Sequence, residues 1–208
     1  MKFAILTAMP SAFIYLASGS PRRRELLAQI GVRFRTIGVS VDETLQAGEG
    51  ASQYVQRLAI AKAEAGWRAV PGDADSPPAP VLGADTTVVI DGNILGKPAD
   101  AADAARMLAT LAGRSHEVLT AVALCDASGT RLRTSRSEVR LRTIDADECR
   151  AYAATAEPLD KAGGYAIQGF GAVFVEALTG SYSGVMGLPV FETAALLRQA
   201  GIPCWTAR

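Results

Sequence analysis

Short apolar runs alternate along this chain with stretches in which apolar residues recur at helical spacing. Phe13-Ile14-Tyr15-Leu16-Ala17 predicts a short buried strand that stops at Ser18-Gly19-Ser20. Pro21 then stands where a first helical residue is favoured, with Ser20 as its N-cap. Leu26, Leu27 and Ile30 share one helical face, and Gly31 ends the helix. The opening unit is therefore strand, Gly/Ser turn, helix.

The pattern continues in the same manner. Val32 to Val41 predicts a second strand running into Asp42-Glu43-Thr44, and Ser52 opens a helix with Tyr54, Val55, Leu58, Ala61 and Ala65 at helical spacing. Pro71 to Pro80 is rich in Pro, Gly, Asp and Ser and predicts a surface loop. Val81 to Ile90 predicts a strand, Asp91-Gly92 a hairpin turn, and Asn93 to Gly96 the returning strand. Asp100 opens a helix carrying Ala104, Met107, Leu108 and Leu111, which ends at Gly113. Glu117 to Cys125 and Arg131 to Arg142 predict two long strands joined at Asp126–Thr130. A short helix over Asp145–Ala154, a strand over Gly171–Ala177 and a helix over Leu188–Ala200 complete the chain. Alternating helices and strands without an internal repeat predict an α/β fold with a mixed sheet.

Composition narrows the function classes. The 208 residues suit one large domain or two small lobes around a cleft, and 49% apolar residues allow a substantial core. Lys plus Arg number 21 against 21 Asp plus Glu, so any bound anion must be held by a local cluster rather than by a global field. The basic residues do not interleave with aromatics, which argues against nucleic acid as a partner. Three cysteines, Cys125, Cys149 and Cys204, form no C-x-x-C pair; this argues against a disulfide framework or zinc site and fits a reducing cytoplasm. No apolar run is long enough to span a bilayer. Met1 to Leu6 resembles the start of a signal peptide, but Pro10 and Ser11 interrupt it. Residues 1–10 therefore read as an extension, with Met9 as an alternative start, ahead of a single domain over residues 11–208.

Four segments carry chemistry. In Ser18–Arg23 a helix N-terminus offers free N–H groups and a positive dipole end, Gly19 permits close approach, and Ser18, Ser20, Arg22 and Arg23 add hydroxyls and fixed charge suited to phosphate. The bland alternative is an ordinary Ser-Pro cap with solvated arginines. Gly92 to Pro98 is not a P-loop, because it is one residue short and Pro follows Lys97. In Gly83-Ala84-Asp85-Thr86 an acid lies inside an apolar strand, which is costly unless it is paired, binds a cation or serves as a base. Asp42-Glu43 and Lys62 read singly as surface charges, whereas Lys97, just past the hairpin that carries Asp85, can reach the same cleft. In Asp160–Gly169 the glycines mark close approaches or a strained turn, and Gln168 offers a donor and an acceptor able to read a base edge. His116 is the only histidine, so nucleophilic triads lack support, and it reads as structural or exposed.

Leu16-Ala17-Ser18-Gly19-Ser20-Pro21-Arg22-Arg23-Arg24-Glu25-Leu26-Leu27 resembles the signature of the Maf family. Asp42-Glu43, the Lys62 helix, Leu82–Thr86, Gly96-Lys97-Pro98, Asp160–Gly169 and Gly187-Leu188-Pro189 match in order, so the resemblance covers roughly Ser11 to Gly201. It implies a mixed twisted sheet flanked by helices, two lobes around a central cleft, like the inosine-triphosphate pyrophosphatases. It implies cleavage of nucleoside triphosphates between the α- and β-phosphates, with Mg²⁺ or Mn²⁺, in a cytoplasmic and often homodimeric protein. On these terms Asp85, Lys97 and Glu43 are catalytic, Glu43 and Asp85 hold the metal, and Ser18, Ser20, Arg22, Arg23 and Lys62 bind phosphate. Arg23, Thr86 and Gln168 match the dTTP/UTP subgroup, whereas the subgroup acting on 7-methyl-GTP tends to carry a bulky aromatic at the position of Arg22. A regulator of septum formation that binds nucleotide without catalysis is the competing class, and the buried acid among several cations argues against it.

Overall fold

Ile14, Tyr15 and Leu16 are buried and form strand β1 (Ile14–Leu16). The computed structural model describes residues 12–72 and 77–205, so the predicted extension over residues 1–10 lies outside the described residues. Helix α1 (Pro21–Gln29) follows β1, then strand β2 (Phe34–Thr36), helix α2 (Ala51–Ala69), strand β3 (Val81–Ile90) and strand β4 (Asn93–Leu95). Helix α3 (Ala101–Leu111), strands β5 (Ser115–Asp126) and β6 (Gly129–Leu141), helix α4 (Ala146–Ala153), strand β7 (Val175–Thr179) and helices α5 (Tyr182–Val185) and α6 (Val190–Gln199) complete the order.

The strands form one mixed sheet in the order β2-β1-β3-β5-β6-β7, with β4 also on β3. β1 is parallel to β2 and β3, and the other pairings are antiparallel. Asp91 and Gly92 both adopt positive φ, 51° and 76°, as a tight hairpin between β3 and β4 requires. β1 pairs with Val81 and Leu82, and β4 pairs with Val88 to Ile90 on the same edge. Between them the stretch 83–87 has, among the described residues, β5 alone as its strand partner, and the sheet opens a gap there.

Alternation along β3 divides the core. Val81, Gly83, Asp85, Thr87 and Val89 face α2; Val55, Ala59 and Ala63 of that helix pack with Val89 and with Leu119, Ala121 and Ala123 of β5. On the other face Leu82 and Ala84 join a cluster with Leu27, Leu188, Leu196 and Leu197, while Val88 and Ile90 join one with Leu108, Leu111, Val139 and Phe174. Thr86 lies where these two clusters part, opposite Thr120. Two lobes thus share one sheet.

Several predicted elements differ from the observed ones. Ser20 occupies the N-cap position without a side-chain cap bond; the Ser18 hydroxyl oxygen instead accepts from the Ser20 amide at 3.2 Å. The second strand shrinks from Val32–Val41 to Phe34–Thr36, because its partner β1 ends at Leu16, opposite Thr36. On α2 the buried face is Val55, Leu58, Ala59, Ala63 and Gly66 rather than one including Ala61 and Ala65. The predicted strand over Gly171–Ala177 is a 3-10 turn over Phe170–Phe174 followed by β7, and α5 was not predicted at all. Asp100 and Asp145 do cap their helices, accepting from Asp103 N and Glu148 N.

Candidate active site

Gly83 determines how the two carboxylates meet their cation. A Cβ at this position would overlap the Ala59 carbonyl and the Ala63 amide, so α2 lies directly on the β3 backbone. Lys62, beside Ala63, is thereby brought over Asp85, with Nζ 2.7 Å from Asp85 Oδ1. The same Nζ lies 2.7 Å from Glu43 Oε1. Asp85 is 7% exposed, deep enough that an isolated charge would be costly. Burial raises its pKa above the ordinary carboxylate value, against the Lys62 ammonium, which lowers it. Burial also acts to raise Glu43, but the bond from Lys62 and the fields of Lys62, Lys97 and Arg23 outweigh it, and the net shift is downward.

Glu43 sits on a long irregular segment, and α2 anchors that segment. The Tyr54 hydroxyl donates to the Glu43 carbonyl at 3.0 Å. One turn on, Arg57 donates to both carboxylate oxygens of Glu49, at 2.6 and 2.7 Å, and to the Thr44 carbonyl at 3.0 Å. Neither Tyr54 nor Arg57 stood out in the sequence, since a helical Tyr and Arg carry no local signal of what they reach.

Arg23 crosses to the other face of β3. Its Nε donates to the Gly187 carbonyl at 2.9 Å, and its terminal nitrogens donate to Ser18 Oγ at 3.0 Å and Thr86 Oγ1 at 3.4 Å. Thr120, also missed in the sequence, stands 3.0 Å from the Thr86 hydroxyl and donates to the Gly184 carbonyl at 2.8 Å. Burial lowers the Arg23 pKa against the fields of Asp85 and Glu43. Arg22 instead pairs with Glu25 at 2.8 Å on the half-exposed side of α1.

The sequence-predicted site residues line one cleft of about 910 Å³, together with Tyr54 and Gly187, whereas Arg57 and Thr120 lie outside its lining. Ser18, Ser20, Arg22 and Arg23 come from the turn after β1 and from α1, Glu43 and Lys62 from the α2 side, Asp85 and Thr86 from β3, Lys97 from the β4 return, and Gln168 from the glycine-rich segment. Gly163 N donates to Gly96 O at 3.0 Å, tying that segment to the Lys97 turn. The structure therefore brings every candidate residue to one place. His116 lies outside the cleft lining; it is buried, with Nε2 2.8 Å from the Tyr165 hydroxyl. Cys125, Cys149 and Cys204 are free. Among the described residues no helix is long and apolar enough to cross a membrane.

The family profile described as Maf-like protein matches residues 13–200. The chain belongs to the Maf-like protein family. Maf relatives include the dTTP/UTP pyrophosphatase of Aromatoleum aromaticum, 56% identical over 92% of this chain and 97% of that protein. The dTTP/UTP pyrophosphatase of Burkholderia thailandensis is 55% identical over 94% of this chain and 97% of its own length. That of Chromobacterium violaceum is 52% identical over 90% and 94%. Among solved structures, the Staphylococcus aureus Ham1 protein is similar at 16% identity and a TM-score of 0.41, covering 62% of this chain and 71% of that chain.

Proposed function

We propose that this chain hydrolyses dTTP and UTP to the nucleoside monophosphate and pyrophosphate. The observation that carries the proposal is the buried Asp85 paired with Lys62, which also pairs with Glu43, in a cleft that the Ser18–Arg23 turn lines as well. Relatives more than 50% identical over nearly the whole chain are named dTTP/UTP pyrophosphatase.

In this reading Ser20, Arg22 and the start of α1 take the phosphate oxygens. Lys62 and Lys97 neutralise charge that builds on them as the α–β bond breaks. A water attacks the α-phosphorus, the bond from that phosphorus to the α–β bridging oxygen breaks, and pyrophosphate leaves. Two roles suit Asp85: it takes the proton of that water, or it binds the cation. Its raised pKa supports the role of base, while the lowered pKa of Glu43 supports that of ligand.

The residues fit a Mg²⁺ or Mn²⁺ ion of the kind that substrate completes. Among the described residues no group of three or more His, Cys, Asp or Glu could hold a metal. Glu43 and Asp85 nonetheless converge on one positive centre, and Mg²⁺ commonly takes one or two carboxylates, with phosphate oxygens and water completing its shell. Such an ion would draw charge from the phosphate oxygens when bound. Arg23, Thr86 and Gln168 line the same cleft and would select the base. A nucleotide substrate and three free cysteines fit a cytoplasmic setting.

The test is pyrophosphate release from dTTP, UTP, CTP and 7-methyl-GTP with Mg²⁺ or Mn²⁺, repeated in EDTA. dTTP and UTP should lead and EDTA should stop the reaction. Preference for 7-methyl-GTP, or no release from any nucleotide, overturns the proposal.

A further inference from the structure

Gln168 occupies a turn whose backbone is tied down from behind. Gln168 lines the cleft, and its side chain makes no hydrogen bond to the described residues, so the amide is free to meet a ligand. The Glu157 carboxylate, outside the cleft lining, accepts from Phe170 N at 3.0 Å through Oε2 and from Gly171 N at 3.1 Å through Oε1. The Tyr152 hydroxyl donates to Glu157 Oε1 at 2.9 Å and accepts from Ala166 N at 3.0 Å. These bonds grip the chain on both sides of Gln168.

The two glycines that flank Phe170 make this grip sterically possible. A Cβ on Gly169 would overlap the Glu157 carboxylate, and one on Gly171 would lie 2.8 Å from the Tyr152 hydroxyl. Tyr152 is itself buried, 5% exposed, with its ring edge-on to Phe174 at 5.2 Å, so its hydroxyl is set by the core beneath α4. Burial acts to raise the Glu157 pKa, but the Phe170 and Gly171 amides and the Tyr152 hydroxyl bring it net below the ordinary carboxylate value. Glu157 is therefore ionised at neutral pH, and hydrogen bonds to an ionised acceptor are the stronger kind. A reading amide discriminates well only if its position is held to a fraction of an ångström.

We propose that Glu157, together with Tyr152, is a positioning residue that sets nucleotide discrimination from outside the cleft by holding the turn that presents Gln168. The proposal rests on the functional reading above, in which Gln168 meets the base. It distinguishes Glu157 from the groups that touch phosphate: loss of Glu157 should blur the choice of base and leave the chemical step in place. Glu157→Gln is the sharp variant, because it keeps the size but turns one oxygen into a donor. At Oε1 that donor meets the Gly171 N–H and at Oε2 the Phe170 N–H, so in either place it faces a backbone donor.

The experiment measures kcat and KM for dTTP, UTP and dCTP with the native chain, Glu157→Gln, Tyr152→Phe, Gln168→Ala and the Glu157→Gln/Gln168→Ala pair, with thermal unfolding of each. Glu157→Gln should hold kcat for dTTP within about twofold while KM rises and the dTTP-over-dCTP ratio falls about tenfold. Tyr152→Phe should shift the same ratio in the same direction. In the paired variant Glu157→Gln should cost no discrimination beyond that already lost with Gln168→Ala. Equal loss on every nucleotide, or losses that multiply in the paired variant, overturns the inference, since a fold-support role behaves that way. Should the native chain favour a different nucleotide, the functional reading fails, and the ratio is taken between that nucleotide and its nearest competitor. A native chain that turns over no nucleotide overturns both.

Discussion

Lys62 Nζ lies 2.7 Å from Asp85 Oδ1, a cation held on a 7% exposed acid by the contact of α2 with Gly83. The same nitrogen serves Glu43, so removing it leaves two neighbouring carboxylates without their counter-charge. Lys62→Met should cost about 3 kcal/mol in the absence of ligand, the order found when one partner of a buried pair is deleted. Mg²⁺ should then raise the melting temperature of the variant more than that of the native chain, because a cation can take the ammonium's place. Calorimetry with and without Mg²⁺ checks this; an equal shift in both proteins argues against a carboxylate cation site.

Asp85→Asn keeps the volume and removes both the base and the anionic ligand. Turnover should fall by at least about 10²-fold, the scale of a lost general base, while the chain stays folded. Steady-state pyrophosphate release and circular dichroism on the same sample decide it. Near-native turnover removes Asp85 from the chemistry.

Arg23 spans Ser18 Oγ, Thr86 Oγ1 and Gly187 O through its planar fork. A lysine there keeps the charge but cannot make three directed bonds. Arg23→Lys should lower kcat/KM about tenfold to a hundredfold, with part of the loss in discrimination between nucleotides. An Arg23→Lys enzyme with native kcat/KM on every nucleotide would show that charge alone suffices.

His116 is buried with Nδ1 unpartnered among the described residues, and burial lowers its pKa from 6.5 to about 4. The unfolded chain binds its proton near pH 6.5 and the folded one only near pH 4. The contribution of neutral His116 is thus fully present above pH 6.5 and lost as pH falls towards 4. The full loss is about 3 kcal/mol. His116→Gln should flatten this part of the stability profile; urea unfolding at a series of pH values tests it, and an unchanged slope refutes it.

Elements that local chemistry specifies are legible in the sequence. Asp100 and Asp145 are legible as caps because the cap bond is made within one turn, and Asp91-Gly92 as a hairpin because two positive φ angles demand such residues. The extent of β2 was not legible, because where a strand ends depends on the partner it meets. Neither were Tyr54, Arg57, Thr120 and Glu157, whose side chains bond backbone groups 11 to 64 residues away that only tertiary packing brings back.

By itself the sequence determined the chemical inventory of this protein: a Ser/Gly/Pro turn after a strand, an acid in an apolar run, and a glycine-rich block ending in Gln168. Those features are short-range, and local physics suffices to read them. Only the tertiary structure decided that they share one cleft. β1 and β4 pair with opposite ends of one β3 edge and leave residues 83–87 open between them, and that gap exists only once all three strands have been placed. It also placed Lys62 between Glu43 and Asp85, because the pairing depends on how closely a helix can lie on Gly83, a distance set by packing rather than by any one segment.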